Sequence, residues 1–234
     1  RTGGGSAAKS EKRMTIRWRI AQAAELRWWQ YYLRHRSPAA YLDAKRAYWE
    51  RILRAAAAPV PPGARVLDAG CGPAGIFMVL DHCRVDAVDP LLAHYADRLP
   101  HFDPAAYPWV RFVPQPLEQF EPPQPYELVF CLNALNHVAD LKAATRRLFG
   151  ALQPGGVLVL TVDAHRHNTL KHLFRALPGD ILHPHQHGPV DYRRLLEEAG
   201  SAVQQVRRLK TGRIFDYWLF VAEKRPTGGR SVQY

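Results

Sequence analysis

Residues 66–75 read Val-Leu-Asp-Ala-Gly-Cys-Gly-Pro-Ala-Gly, and three glycines in that run, Gly70, Gly72 and Gly75, follow an apolar stretch at Gly-x-Gly-x-x-Gly spacing. Glycines so placed permit a tight turn and close approach of a ligand to the backbone, and a helix opening after them offers free N–H groups. Asp89 ends the next apolar stretch, about 20 residues on, where a carboxylate can accept hydrogen bonds from both hydroxyls of a ribose. A dinucleotide and an adenosyl group satisfy this pattern equally well. Asp68, two residues before the first glycine, tilts the balance. A carboxylate there opposes a diphosphate but suits a cationic ammonium or sulfonium group.

Histidines form the second group with chemical potential. His137 lies in Leu-Asn-Ala-Leu-Asn-His-Val-Ala-Asp, and His165 and His167 come just after Asp163. Imidazole titrates near neutral pH, so each is a candidate proton acceptor. His183, His185 and His187 alternate and could face one metal ion, but no acid lies within that motif. A structural or substrate-lining role is the preferred reading, with no metal assigned.

The segment before the glycine run is rich in rings: Trp28, Trp29, Tyr31, Tyr32, Tyr41, Tyr48 and Trp49. At helical spacing such residues usually pack a core or a lid. A lid over a binding pocket would use Trp29, Tyr32, Lys45 and Tyr48, with His185 from the later loop. Its character suggests a flat or hydrophobic ligand, with Lys45 or a nearby arginine free to meet an acidic group.

The elements that must hold these residues are legible from periodicity. Residues 16–58 predict two helices broken at Ser37-Pro38, where proline suits the first turn of the second helix. The first carries Ile16, Ile20, Ala23, Ala24, Trp28, Tyr31 and Tyr32 at helical spacing, and the second carries Tyr41, Leu42, Lys45, Tyr48, Trp49 and Ile52. From Ala64 the rhythm becomes strand, loop, helix. Strands are predicted at 64–70, 85–90, 109–115, 126–135 and 157–164, with a helix opening at 76–80, another at 141–152 and a tight turn at Gln153-Pro154-Gly155-Gly156. A helix over 191–200 and two final strands complete the chain. The organisation expected is a tail at 1–13, a helical cap at 14–60, one domain at 61–225 and a tail at 226–234.

Composition excludes several classes. Of 234 residues 47% are hydrophobic, enough for a sizeable core, yet no run of about 18 apolar residues could span a membrane. Cys71, Cys83 and Cys131 are odd in number and widely spaced, which argues against a disulfide frame and for a reducing, cytoplasmic setting. The charge of +11 is concentrated early: residues 1–60 carry 13 Lys/Arg against 4 Asp/Glu, whereas residues 61–150 carry 7 against 10. A basic helical lobe could attract an acidic ligand or nucleic acid.

Taken together, the glycine run, Val-Asp-Ala-Val-Asp-Pro (85–90), residues 126–140 and Leu-Gln-Pro-Gly-Gly-Val-Leu-Val-Leu (152–160) resemble motifs of the class I S-adenosylmethionine-dependent methyltransferases. The resemblance covers about Ala64 to Lys224. It implies an α/β, Rossmann-like doubly wound sheet of seven strands, mostly parallel with an antiparallel final hairpin, here preceded by a helical cap. It implies S-adenosyl-L-methionine as cofactor. Asp68, Gly70, Cys71 and Gly72 would wrap its methionine end, Asp89 would hold the ribose, Pro90 or Leu91 would pack on the adenine, and Asn133 would close the site. Relatives often place an aspartate just after the third strand. Pro116 stands there instead, leaving Gln115 or Glu118 and the Leu117 backbone N–H to meet the adenine amino group. His137 and His167 would be candidate bases toward a small-molecule acceptor, methylated at oxygen, nitrogen or carbon. Two alternatives remain open at this point. The basic lobe favours an RNA or protein acceptor, although residues 133–136 lack the Asp/Asn-Pro-Pro-Phe/Tyr pattern of base methylation. The glycine fingerprint alone also suits a nicotinamide-dependent oxidoreductase.

Overall fold

The computed structural model describes residues 16–138, 140–165, 188–212 and 215–226. Two helices open it, α1 (Ile16–Leu33) and α2 (Pro38–Ala56), followed by β1 (Arg65–Ala69), β2 (Arg84–Val88), α3 (Leu92–Arg98) and β3 (Val110–Val113). Then come β4 (Tyr126–Leu132), α4 (Leu141–Ala151), β5 (Leu152–His165), α5 (Pro189–Glu198), β6 (Ser201–Lys210) and β7 (Phe215–Lys224). The strands form one sheet in the order β3-β2-β1-β4-β5-β7-β6. Pairings from β3 to β5 are parallel, while β7 runs antiparallel to both β5 and β6. This is the doubly wound α/β sheet with an antiparallel final hairpin that the sequence predicts.

The central strands are buried on both faces, and their alternation sends successive side chains to opposite cores. Val66 and Phe130 pack with Tyr41, Trp49, Ile52, Phe77 and Tyr95 on the face covered by α2 and α3. Leu67 and Val129 pack with Leu148, Tyr192, Leu196 and Phe220 on the face covered by α4 and α5. Local chemistry sets the helix boundaries. Pro38 occupies the first turn of α2, the Asp140 carboxylate accepts from the Ala143 N–H at the start of α4, and Asp191 accepts from Gly188 N–H at the start of α5. Among the described residues no helix is long and apolar enough to cross a membrane.

Three local expectations need correction. The helix expected from Ile76 is absent; 3₁₀ turns at Gly72–Ala74 and Ile76–Val79 replace it. Few residues separate the glycine run from β2, and a 3₁₀ turn covers more distance per residue than an α-helix. The Pro-Gly-Gly turn is instead absorbed into β5: Tyr126 pairs Leu152 and Leu128 pairs Val157, so the surplus residues bulge, with Gly155 at φ 74°. Finally, α1 turns a different face inward. Ile20, Trp28 and Tyr31 are exposed, whereas Leu26 and Leu33 are buried. Apolar residues occur around the whole helix, so periodicity alone could not choose its buried side.

Candidate functional site

The strand order reverses direction between β1 and β4, which is where open α/β sheets bind ligands beyond their strand ends. A cavity of about 1090 Å³ lies there. Single small-ligand sites typically occupy roughly 300–1,000 Å³, so this one has room for a cofactor and a second molecule.

Its floor is the glycine turn. Gly70 and Gly72 have φ of 73° and 59°, in the left-handed region that side chains disfavour. A Cβ on Gly70 would lie 2.3 Å from the Ala134 Cβ, and one on Gly75 would lie 2.4 Å from Asp68 Oδ2. Backbone is thus exposed to the cavity where side chains would fill it. Asp68, only 2% exposed, accepts from the Phe77 N–H at 3.1 Å. It therefore caps the following turn while still lining the cavity. Asp89, 6% exposed, ties two loops together: Oδ1 accepts from Leu91 N–H at 2.8 Å and Oδ2 from Gly72 N–H at 3.0 Å. Burial pushes the Asp68 carboxyl up to about 7 and the Asp89 carboxyl up to about 6. Cys71 is buried and its thiol is held well above the ordinary range, so it behaves as a small hydrophobe within the turn.

Pro90, Leu117, Glu118 and Asn133 also line the cavity, as does Pro116, whereas Gln115 is exposed and outside it. Asn133 sits at φ 56°, which asparagine tolerates better than most residues, and its N–H donates to Thr161 O at 2.9 Å. His137 lines the cavity from the 3₁₀ turn after β4, with Asp163 at the end of β5. His167 and His185, with His183 and His187, lie outside the described residues.

The remaining wall comes from α1 and α2, which contribute Trp29, Tyr32, Lys45 and Tyr48. Trp29 packs edge-on to Tyr95, and its ring edge would lie 3.7 Å from a Cβ on Gly72, so α1 rests directly on the glycine turn. Trp49 Nε1 donates to Ala74 O at 2.8 Å, fastening α2 to the same turn. Tyr48 Oη donates to Tyr217 Oη at 2.9 Å, and Tyr217 Oη lies 2.6 Å from Thr161 Oγ1. This hydroxyl chain joins α2 to β7 and β5. Burial holds Lys45 down to about 8.

Sequence reasoning missed two contributors. Glu25 lines the cavity beside Asp89, and burial followed by the Asp89 charge pushes its carboxyl up to about 7. Tyr217 joins from the far end of the chain. Glu25 carries the one legible signal, an acid on the face of α1 shared by Trp29 and Tyr32. Tyr217 carries none, since its partners are distant in sequence.

Comparison with known proteins agrees with this architecture. The family described as methyltransferase domain matches residues 24–206. The chain is 32% identical over 130 residues to trans-aconitate 2-methyltransferase of Variovorax paradoxus, a match covering 52% of this chain. It spans 47% of that relative's length. Among solved structures it is similar to 1,6-didemethyltoxoflavin-N1-methyltransferase of Burkholderia thailandensis, with 1,6-didemethyltoxoflavin and S-adenosylhomocysteine bound. There the TM-score is 0.58 at 18% identity, covering 93% of this chain and 94% of that one. It is also similar to phosphoethanolamine N-methyltransferase 2 of Haemonchus contortus (TM-score 0.61, 16% identity, 77% of this chain and 53% of that one). The cyclase SpnF shares the fold as well (TM-score 0.61, 14% identity, 76% of this chain and 80% of that one). The chain belongs to the methyltransferase-domain family, within the class I S-adenosylmethionine-dependent fold.

Proposed function

We propose that this protein transfers a methyl group from S-adenosyl-L-methionine to a small-molecule acceptor. The observation that carries the reading is one cavity with two unlike linings: a glycine turn with Asp68, Asp89 and Glu25, and an aromatic wall with Lys45. When bound, the cofactor supplies a methyl carbon made electrophilic by its sulfonium. The residues present fit it, because exposed glycine backbone admits a close ligand and three carboxylates favour a cation.

In this reading Asp89 accepts from the ribose hydroxyls, and Asp68 faces the ammonium end directly or through water. Gly70, Cys71, Gly72 and Asn133 frame the methionine chain. Pro90 and Leu117 pack against the adenine, and Glu118 takes the place of the missing aspartate toward its amino group. Trp29, Tyr32 and Tyr48 exclude water and hold the acceptor in line. His137 is the candidate base for an acceptor that must lose a proton, with His167 a second candidate. Residues 61–225 form the catalytic domain and 14–60 its cap. The three buried thiols support a cytoplasmic setting.

Titration calorimetry with S-adenosyl-L-methionine and with NAD tests the assignment. Binding of the adenosyl ligand is expected; tight NAD binding with no adenosyl binding would overturn it in favour of an oxidoreductase.

A further inference from the structure

We propose that the acceptor is a carboxylate-bearing organic acid with an apolar or flat body, and that Lys45 is the residue that pairs with its carboxylate. The proposal rests on the methyl-transfer reading for the use of the cavity, but its evidence lies in the surroundings of Lys45.

Lys45 projects from α2 into the cavity. Its Nζ lies 5.9 Å from the Tyr41 ring centre, 5.6 Å from that of Tyr48 and 5.1 Å from that of Trp49. Among the described residues it makes no hydrogen bond and no ion pair, and burial alone accounts for the fall in its basicity. The buried carboxylates of the cavity are satisfied: Asp68 takes the Phe77 N–H, and Asp89 takes those of Gly72 and Leu91. Lys45 is half-buried, and a lysine partly withdrawn from water without an anion carries a desolvation cost that aromatic faces repay only in part. The missing anion has space to enter, because Lys45 lines a cavity of about 1090 Å³.

Charge is also divided along the cavity. Glu25, Asp68 and Asp89 stand at the glycine turn, while Arg51 and Lys210 join Lys45 from α2 and the end of β6. Asp163 lines the wall near Tyr48 and Tyr217 and does not pair with Lys45. An acidic acceptor is repelled by the carboxylates at the glycine turn and drawn to the cations, which orients it. The surroundings favour a carboxylate carried on an organic body over inorganic phosphate. The ammonium would meet either anion as a point charge, but the rings of Tyr41, Tyr48 and Trp49 around it offer apolar contact that only an organic body can use.

The test uses the full chain saturated with S-adenosylhomocysteine and measures binding by calorimetry. Probes are benzoate with benzamide, 3-phenylpropionate with its primary amide, trans-aconitate with its trimethyl ester, and inorganic phosphate. At least one acid is expected to bind tenfold or more tightly than its neutral partner and than phosphate. Lys45→Met should abolish that preference and Lys45→Arg should retain it, with S-adenosylhomocysteine affinity within twofold in both. Lys45→Met should also unfold at a temperature no lower than wild type, since it removes an unpaired, half-buried cation. Equal binding of neutral partners, binding of none of the acids, preference for phosphate, or an acid preference surviving in Lys45→Met would each overturn the proposal. Failure of the wild type to bind S-adenosylhomocysteine overturns the methyl-transfer reading instead, and acid preference is then measured without it.

Discussion

The two ends of the cavity are built by different means. At the glycine turn, backbone does the shaping: Gly70 and Gly72 hold left-handed conformations, and Asp68 and Asp89 are fixed by N–H groups of neighbouring turns. At the α1–α2 wall, side chains do it, through stacked rings, a half-buried lysine and the Tyr48–Tyr217–Thr161 hydroxyl chain. Backbone shaping needs particular residues at particular spacings, so it suits one unvarying ligand. A side-chain wall can be re-lined without disturbing the sheet, so it suits a ligand that differs between relatives. The fold itself is shared with a 1,6-didemethyltoxoflavin-N1-methyltransferase, a phosphoethanolamine N-methyltransferase and a cyclase.

Substitutions break this contrast most sharply at the turn. Gly70→Ala forces a Cβ to within 2.3 Å of Ala134 Cβ at a φ of 73°, and the backbone must move. A loss of about 2–4 kcal/mol is expected, from overpacking plus left-handed strain, and adenosyl binding should disappear. Thermal unfolding and calorimetry read the two effects separately. Asp89→Ala comes next: S-adenosyl-L-methionine affinity should fall tenfold or more, about 1.4 kcal/mol, with the far-ultraviolet circular dichroism unchanged. Unaltered affinity would remove Asp89 from the ribose site.

A pH titration sharpens the electrostatic side of the comparison. Burial raises Glu25 and Asp68 to about 7 and Asp89 to about 6. In the folded protein these groups hold their protons at pH values where the unfolded chain has released them. Stability without ligand is therefore greatest below about pH 4 on this account and declines as pH rises toward 7. A cationic ligand binds the ionised carboxylates, so S-adenosyl-L-methionine should gain affinity over that same interval. Chemical denaturation and calorimetry at pH 5 and 8 would expose the opposite trend if it existed. The smallest effect belongs to the wall: Tyr217→Phe removes the hydroxyl bonded to Tyr48 and Thr161. About 1 kcal/mol of stability should go with it, a fall in melting temperature of roughly 2–4 °C. Binding of S-adenosylhomocysteine should hold within twofold.

Much of the donor end could be read in the chain because its determinants are local. The glycine spacing, Asp68 before it and Asp89 after the next strand lie within 22 residues and each answers to one backbone requirement. Elements of strong period, such as α2 and β4, were equally legible, because one face or both faces must be apolar. The failures came where local pattern was ambiguous or overruled. Rings circle α1, so its inward face was chosen by the fit of Trp29 over Gly72 and of Glu25 beside Asp89. A turn signal at Pro154-Gly155-Gly156 yielded to strand pairing, because β4 offered partners on both sides of the bulge.

By itself, then, the amino-acid sequence determined the doubly wound sheet, the family and the half of the cavity made of backbone. Residue types that only one conformation can use carry their meaning locally. Only the tertiary structure decided which side chains face the acceptor space: that Lys45 lies half-buried against three rings without an anion, and that Tyr217 reaches Tyr48 across 169 positions. The physical reason is that burial and charge pairing depend on which distant elements come to pack together, and no spacing along the chain encodes that.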